Sequence, residues 1–551
     1  MEFNVAQVHE AVSAAVPDRE CIVWRDRRLT YADVTDRTRR LANHLLAQGL
    51  GVRAERSSLA GHESGQSQLA CYLHNGNEYL EAMLGAYKAR VAPFNVNYRY
   101  VAEELRYLLN DAQAEAIVFH SAFADRLAEV LPDLPSLKVL LQVDDGSGAD
   151  LLPGAVWYEE ALAAASPERP DVEWSPDDLY ILYTGGTTGM PKGVLWRQAD
   201  IFVGALGGRN VGTGTEWEDL DQIVAAARDG GSRILPAPPF MHGAGHWVAF
   251  NCMTGGGTVV IQDDTVTLDP ADVWSTVARE QVNLLLIVGD AFGRPLVEEL
   301  ERAAEGGKPH DTSSLLAILS GGAPLNSSLK DRFLAQLPTV MVMDAVGSSE
   351  TGSQMSHVSA AGQPASTGTF TPGPGAAVVS EDLTHRLEPG HEGIGWLAQT
   401  GRVPLGYLGD PEKTARTFPV IEGERHSVPG DRARLTADGL IELFGRDSVT
   451  INSGGEKIFA EEVEQAIAHH PDVYDVVVAG RPSERWGQEV VAVVQLRAGA
   501  TADEGALREE AAKHIARYKL PKAFVFVPAI VRSPAGKADY RWAREQATTT
   551  G

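Results

Sequence analysis

At 551 residues, 44% hydrophobic and 22% charged, the chain has the composition of a folded globular protein and the length for two or three structural units, which excludes a disordered or fibrous chain. Its formal charge of -26, from 48 basic against 74 acidic residues, opposes non-specific binding to nucleic-acid backbones and anionic membranes, so an anionic substrate needs locally placed cations. The three cysteines, Cys21, Cys71 and Cys252, are too scattered for a disulfide framework or a thiolate zinc site.

Met1-Glu2-Phe3-Asn4-Val5 is not a basic leader ahead of an apolar core, and no apolar run reaches the roughly 18 residues that span a bilayer. A cytoplasmic protein without integral membrane association is expected, with no nucleic-acid partner; a homodimer is compatible with the sequence.

Thr30-Tyr31-Ala32-Asp33 reads as a capping box opening an amphipathic helix through Leu41, Leu45 and Leu46, with Gly49 as its stop. The polar, Gly- and Ser-rich stretch from about Gly51 to Gln68 reads as an exposed loop. Short runs rich in branched residues then alternate with helical patterns: Ala116 to Phe119, Val139 to Val143, Leu179 to Tyr183, Val259 to Ile261, Leu284 to Val288 and Leu315 to Leu319. That alternation predicts an α/β protein with helix-covered parallel sheets, whose ligands bind beyond the carboxyl ends of the strands. From about Glu381 shorter strands such as Gly393 to Leu397 and Gly439 to Leu443 suggest a β-rich subdomain over about 381-445. The remainder, with strands at Val476 to Ala479 and Val490 to Leu496 and a helix at Ala506 to Tyr518, suggests a small α+β unit.

Tyr183-Thr184-Gly185-Gly186-Thr187-Thr188-Gly189-Met190-Pro191-Lys192-Gly193 follows a strand and is read as preceding a helical pattern. Glycines that admit close backbone approach, threonine hydroxyls and Lys192 make it a phosphate loop by chemistry. Gly193 stands where a Walker loop needs Ser or Thr, so it is not one.

This segment resembles the signature loop of the adenylate-forming superfamily of acyl-CoA synthetases, luciferases and peptide-synthetase adenylation domains, and further motifs of that family follow in order. Pro238-Pro239-Phe240-Met241-His242-Gly243 resembles the acyl-pocket motif, and Ser320-Gly321-Gly322-Ala323-Pro324 the turn against adenine. Asp344-Ala345-Val346-Gly347-Ser348-Ser349-Glu350-Thr351-Gly352 resembles the motif whose glutamate, here Glu350, holds magnesium; Val346 stands where many members stack an aromatic ring on adenine. Gly430-Asp431 resembles the ribose-binding motif, and Gly445-Arg446-Asp447 the interdomain linker, with Arg446 reaching ribose or phosphate and Asp447 at the hinge. Asn452 to Ile458, through Gly454, Gly455 and Lys457, resembles the loop lining the pantetheine channel, and Arg532-Ser533-Pro534-Ala535-Gly536-Lys537 the motif of the adenylating lysine.

The resemblance implies an N-terminal AMP-binding domain over 1-445, a mobile C-terminal domain over 446-551 and a hinge at 446-448. Catalysis would fall to Lys537, Glu350 and Thr184, and nucleotide binding to Thr184, Gly185, Gly186, Thr187, Thr188, Gly189, Lys192, Gly321, Gly322, Ala323, Gly347, Ser348, Ser349, Asp431, Arg446 and Lys537. His242 and Gly243 would border the acyl group, and ATP, Mg2+ and coenzyme A would join a small-molecule carboxylate. Segments such as Gly193 to Arg197, Ile451 to Lys457 and Ser533 to Trp542 resemble actinobacterial synthetases acting on steroid side-chain carboxylates, with medium- or long-chain fatty acids as the nearest alternative. Loading of a separate carrier protein and a non-catalytic nucleotide-binding protein are the other readings. Few bulky residues at Gly243 to Trp247 and at Gly255-Gly256-Gly257 suggest a roomy acyl pocket. Asp290 stands where many members carry proline, without evident purpose.

Overall fold

The computed structural model describes the chain except for residues 185–189, 211, 363–367, 454–455, 484–485, 534–535 and 550–551 and the side chains of Ser448 and Lys457. The signature-loop residues Gly185, Gly186, Thr187, Thr188 and Gly189 and the channel residues Gly454 and Gly455 therefore lie outside the described residues, as does the Lys457 side chain.

Two layers of parallel strands build the N-terminal part. One sheet sets Gln68–Tyr72 between Ala92–Asn95 and Ala116–His120 and continues through Val139–Val143 to Val156–Trp157, all parallel. The second orders Glu20–Trp24, Thr258–Ile261, Arg233–Pro236, Leu284–Ile287, Ala317–Gly321 and Met341–Ser348, also parallel. Its strands are runs of Val, Ile and Leu because helices cover both faces. Met341–Ser348 turns back through Gly352–Ser359, after which Thr369–Pro372, Ile441–Arg446, Asp431–Leu435, Gly395–Gln399 and Ala376–Val379 extend the same sheet in antiparallel order. The β-rich region thus continues the main sheet. Beyond Arg446 a separate sheet of Ile451–Ser453, Glu456–Ile458, Val473–Ser483, Gly487–Leu496 and Ala523–Phe526 has its own apolar core.

The capping box is present: Thr30 and Asp33 cap each other across the first turn of helix Tyr31–Ala47. The segment after the signature loop departs from the helical expectation. Thr184 pairs with Lys192, so the loop closes an antiparallel hairpin of Leu179–Thr184 with Lys192–Arg197. Val194, Leu195 and Trp196 are fully buried there, and the helix starts only at Gln198. The helix read over Ala506 to Tyr518 is split into Glu504–Ala511 and a 3-10 turn at Arg517–Lys519. Pro521 excludes the helical region at Leu520, which is extended (φ -62, ψ 140). Among the described residues no helix is long and apolar enough to cross a membrane.

Candidate active site

The carboxyl ends of the main-sheet strands open on a cavity of about 1460 Å³, beyond the usual size of a small-ligand pocket. Thr184, His242, Gly321, Gly322, Ser348 and Lys537 all reach its wall, so the structure brings together motifs more than 350 residues apart in the chain. Ala323 instead turns its methyl toward Gly289, where an added side chain would come within 2.9 Å of it. Lys192 faces Asp410, its ammonium 3.9 Å from the carboxylate. Burial works against its charge, but Tyr107 and Asp111 outweigh burial and raise its pKa.

Glu350 caps the tight turn between Met341–Ser348 and Gly352–Ser359. The turn needs glycine at both ends: a side chain on Gly347 would come 2.2 Å from the Gly352 carbonyl, and Gly352 has φ +69. Trp196 donates to the Ser349 carbonyl at 2.8 Å and Ser427 to that of Glu350 at 2.6 Å. The Tyr407 hydroxyl donates to Glu350 Oε1 at 2.8 Å. Glu350 is buried, with its orientation set by chain segments on either side. Asp431 and Arg446, paired across neighbouring strands, stand 3.4 Å apart. Burial raises the Asp431 carboxyl and Arg446 pulls it back, while Asp431 raises the guanidinium in return.

Lys537 arrives from the C-terminal unit. Its amide donates to Ser533 Oγ at 3.1 Å, and Gly536 before it has φ +69. Lys537 is exposed where it lines the cavity, with charged groups of both parts around it. Burial, reinforced by Arg446, lowers its pKa, against the opposing pull of Glu350 and Asp431. Lys537, Glu350, Asp431 and Arg446 thus form one electrostatic cluster.

The C-terminal unit sits on helix Gly289–Glu305. A side chain on Gly536 would come 2.9 Å from Ala291, Arg294 lies 5.0 Å over the Tyr474 ring, and Arg497 pairs with Glu298 at 3.1 Å. Asp290 gains its explanation here. Its Oδ1 accepts from the Asn326 amide at 2.8 Å and its Oδ2 pairs with Arg294 at 3.3 Å, tying the start of this helix to the next and aiming Arg294 at the C-terminal unit. Asp447 accepts from Arg432 at 3.0 Å in the short turn Asp447–Val449 that joins the two parts.

The wall around His242 holds what the sequence did not reveal. His242 lines the cavity, burial and then Lys537 lower its pKa to about 3, and its buried Nε2 has no hydrogen-bond partner. A neutral imidazole with a free nitrogen is suited to a substrate oxygen. The satisfied core histidine is its neighbour His246: Nδ1 meets the Phe240 carbonyl at 2.6 Å, so Nε2 accepts from the Tyr180 hydroxyl at 2.5 Å, which accepts from Trp247 Nε1 at 2.7 Å. This relay locks the Trp247 indole, which lines the cavity. No local motif marks Tyr180, whose partners lie more than 60 residues away. Gly255, Gly256 and Gly257 do not line the cavity. A side chain on Gly256 would come 2.4 Å from the Ala227 carbonyl and one on Gly257 2.5 Å from that of Ser232, so these glycines serve backbone packing.

Comparison with known proteins agrees with this geometry. Residues 9–408 match the AMP-binding enzyme family and residues 462–537 the AMP-binding enzyme C-terminal domain, so the chain belongs to the AMP-binding enzyme family. Within it, the chain is 59% identical to the medium-chain acyl-CoA ligase Mig of Mycobacterium avium, over 99% of this chain and 98% of that protein. It is 40% identical to the 3-oxocholest-4-en-26-oate--CoA ligase of Rhodococcus rhodochrous, over 99% of this chain and 96% of that one. In fold it is similar to the anthranilate CoA ligase AuaEII bound to anthranoyl-AMP (TM-score 0.81, 19% identity, 100% of this chain and 98% of that one). ATP-bound MatB of Rhodopseudomonas palustris is also similar (TM-score 0.78, 24% identity, 99% of each chain).

Proposed function

We propose that this protein is an ATP-dependent acid-thiol ligase that converts an apolar carboxylic acid into its CoA thioester through an acyl-adenylate. The observation that carries this is the Lys537 ammonium in the same cavity as the His242 side chain, within the field of Glu350, Asp431 and Arg446. A carboxylate approaching a polyanionic triphosphate is repelled, so catalysis consists of charge stabilisation and positioning. Lys537 bridges the attacking carboxylate and the α-phosphate, pyrophosphate leaves, and the CoA thiol then attacks the acyl carbonyl and releases AMP. Asp431 accepts from the ribose hydroxyls, with Arg446 beside it.

Glu350 fits a magnesium ion as a single protein ligand. One of its oxygens takes the Tyr407 hydrogen bond, and among the described residues no cluster of three or more His, Cys, Asp or Glu could enclose a metal, so phosphate and water oxygens would complete the shell. The ion would supply neutralisation of phosphate charge. In the thioester step the C-terminal unit turns about Asp447, withdraws Lys537 and presents Gly454, Gly455 and Lys457 to pantetheine. Medium-chain fatty acids are the proposed substrate class, in keeping with the 59% identical relative. Steroid side-chain acids are the second reading, favoured by the 40% identical Rhodococcus ligase. The buried free thiols of Cys21, Cys71 and Cys252 suit a reducing cytoplasm.

The test is release of AMP and pyrophosphate with CoA across octanoate, hexadecanoate, cholestenoate, aromatic acids and amino acids. Turnover on the apolar acids is expected; turnover confined to amino acids would sink the proposal.

A further inference from the structure

The acyl branch of the cavity has two independent rulers. On helix Gly243–Thr254, Gly243, Trp247 and Asn251 line the lumen at four-residue spacing, a stripe about 12 Å long at 1.5 Å per residue. On and just after strand Leu284–Ile287, the alternating residues Leu284, Leu286 and Val288 line the opposite wall over about 13 Å at 3.3 Å per residue. The rulers run in opposite chain directions, because the helix starts beyond the carboxyl ends of the strands and packs back along Arg233–Pro236. Gly243 and Val288 therefore mark the reactive end, and Asn251 and Leu284 the far end, where Ile234 pairs in register with Leu284.

The ends differ in exposure. Val288, Leu286, Leu182 and Met241 are 1–3% exposed, so the wall near the chemistry is tight. At the far end Leu284 and Ile234 are half-buried, Asn251 is exposed, and the lumen continues past Gly208 to the exposed Gly214. An apolar pocket that ended blind would close on buried apolar side chains. This one ends on the exposed carboxamide of Asn251 and the exposed Gly214.

We infer that the acyl site is a channel open at both ends, about 12 Å long, through which the tail of a longer acid emerges at Asn251. An extended chain advances roughly 1.2 Å per bond, a third of the backbone's rise per residue, so about ten bonds fill the channel. A medium-chain acid is wholly enclosed. A hexadecanoyl chain passes the far mouth and is accepted without a larger cavity. Asn251, Leu284 and Ile234 thereby determine how length is tolerated, which rests on the acyl-CoA ligase reading above.

The experiment is the ratio of kcat/KM for hexadecanoate to that for octanoate, measured by AMP release on one preparation so that a misfolded fraction cancels. Plugging the mouth with Asn251→Trp, at an exposed position, or Leu284→Trp, from the opposite wall, is expected to lower the ratio on the order of tenfold, as a steric block of a few methylenes does. An unchanged ratio in Asn251→Trp overturns the open channel while leaving the ligase reading intact. Wild-type enzyme without AMP release on either acid takes down both.

Discussion

On the proposed reading, the nucleotide side and the acyl side of one cavity are built on opposite plans. The first is a set of charges held by partners from distant segments: Glu350 by Tyr407, Asp431 by Arg446, Lys537 by the Gly536 turn. The second is a wall of small and apolar side chains whose few polar groups, His242, Asn251 and the Tyr180–His246–Trp247 relay, are neutral. On that reading, chemistry common to every substrate is done by charges held in place while each step proceeds, whereas selection among substrates is done by shape, which small changes adjust.

The comparison breaks most sharply at Lys537. Lys537→Ala is expected to lower carboxylate-dependent ATP–pyrophosphate exchange by at least about 10²–10³, the scale of losing one preorganised charge contact, while thioester formation from preformed acyl-AMP largely survives. Equal loss of both half-reactions would refute the division of labour. Glu350→Gln is expected to lower exchange by about 10² for every acid alike, since the nucleotide side does not read the acyl group; a loss that varies with chain length would contradict the separation. Tyr180→Phe strands the indole N–H and the His246 nitrogen without a partner, an expected cost of about 1–3 kcal/mol in urea unfolding, with chain-length preference altered and pyrophosphate handling unchanged.

The smallest effect is in pH. Lys537 must be protonated to pair with two anions, and burial holds its pKa below the ordinary 10.5. The alkaline limb of kcat/KM, which reports the unliganded enzyme, should therefore set in below 10.5, and Lys537→Arg should move it to higher pH; a limb at or above 10.5 would contradict the lowered lysine.

The same contrast governs what was legible in the sequence. Phosphate and ribose chemistry demands particular functional groups within short segments, so Asp344 to Gly352, Gly430-Asp431 and Gly536-Lys537 stand out before any fold is known. Strands such as Val139–Val143 were equally visible, because a buried parallel strand is a plain run of branched residues. The acyl wall combines Gly208, Ile234, Asn251 and Leu284, each unremarkable where it stands, and only tertiary packing assembles them. Gly255 to Gly257 misled because a glycine run has the same appearance whether it clears a pocket or lets backbones touch. The hairpin after the signature loop was missed because Val194, Leu195 and Trp196 form a fully buried run, which has no alternation to separate strand from helix.

The seat of the C-terminal unit has a consequence in time. Its junction with helix Gly289–Glu305 includes a cation over a ring, one partly exposed ion pair and a glycine laid on a helix start, without the interlocking side chains of a core. The two polar links are worth on the order of 1 kcal/mol or less each. On the proposed rotation, the two postures lie in shallow neighbouring basins, and the anion beside Lys537 weights one of them. Departure of pyrophosphate then acts as the clock, because it takes most of the negative charge out of the cavity, weakens the hold on the lysine and lets the unit turn before the adenylate can be lost to water.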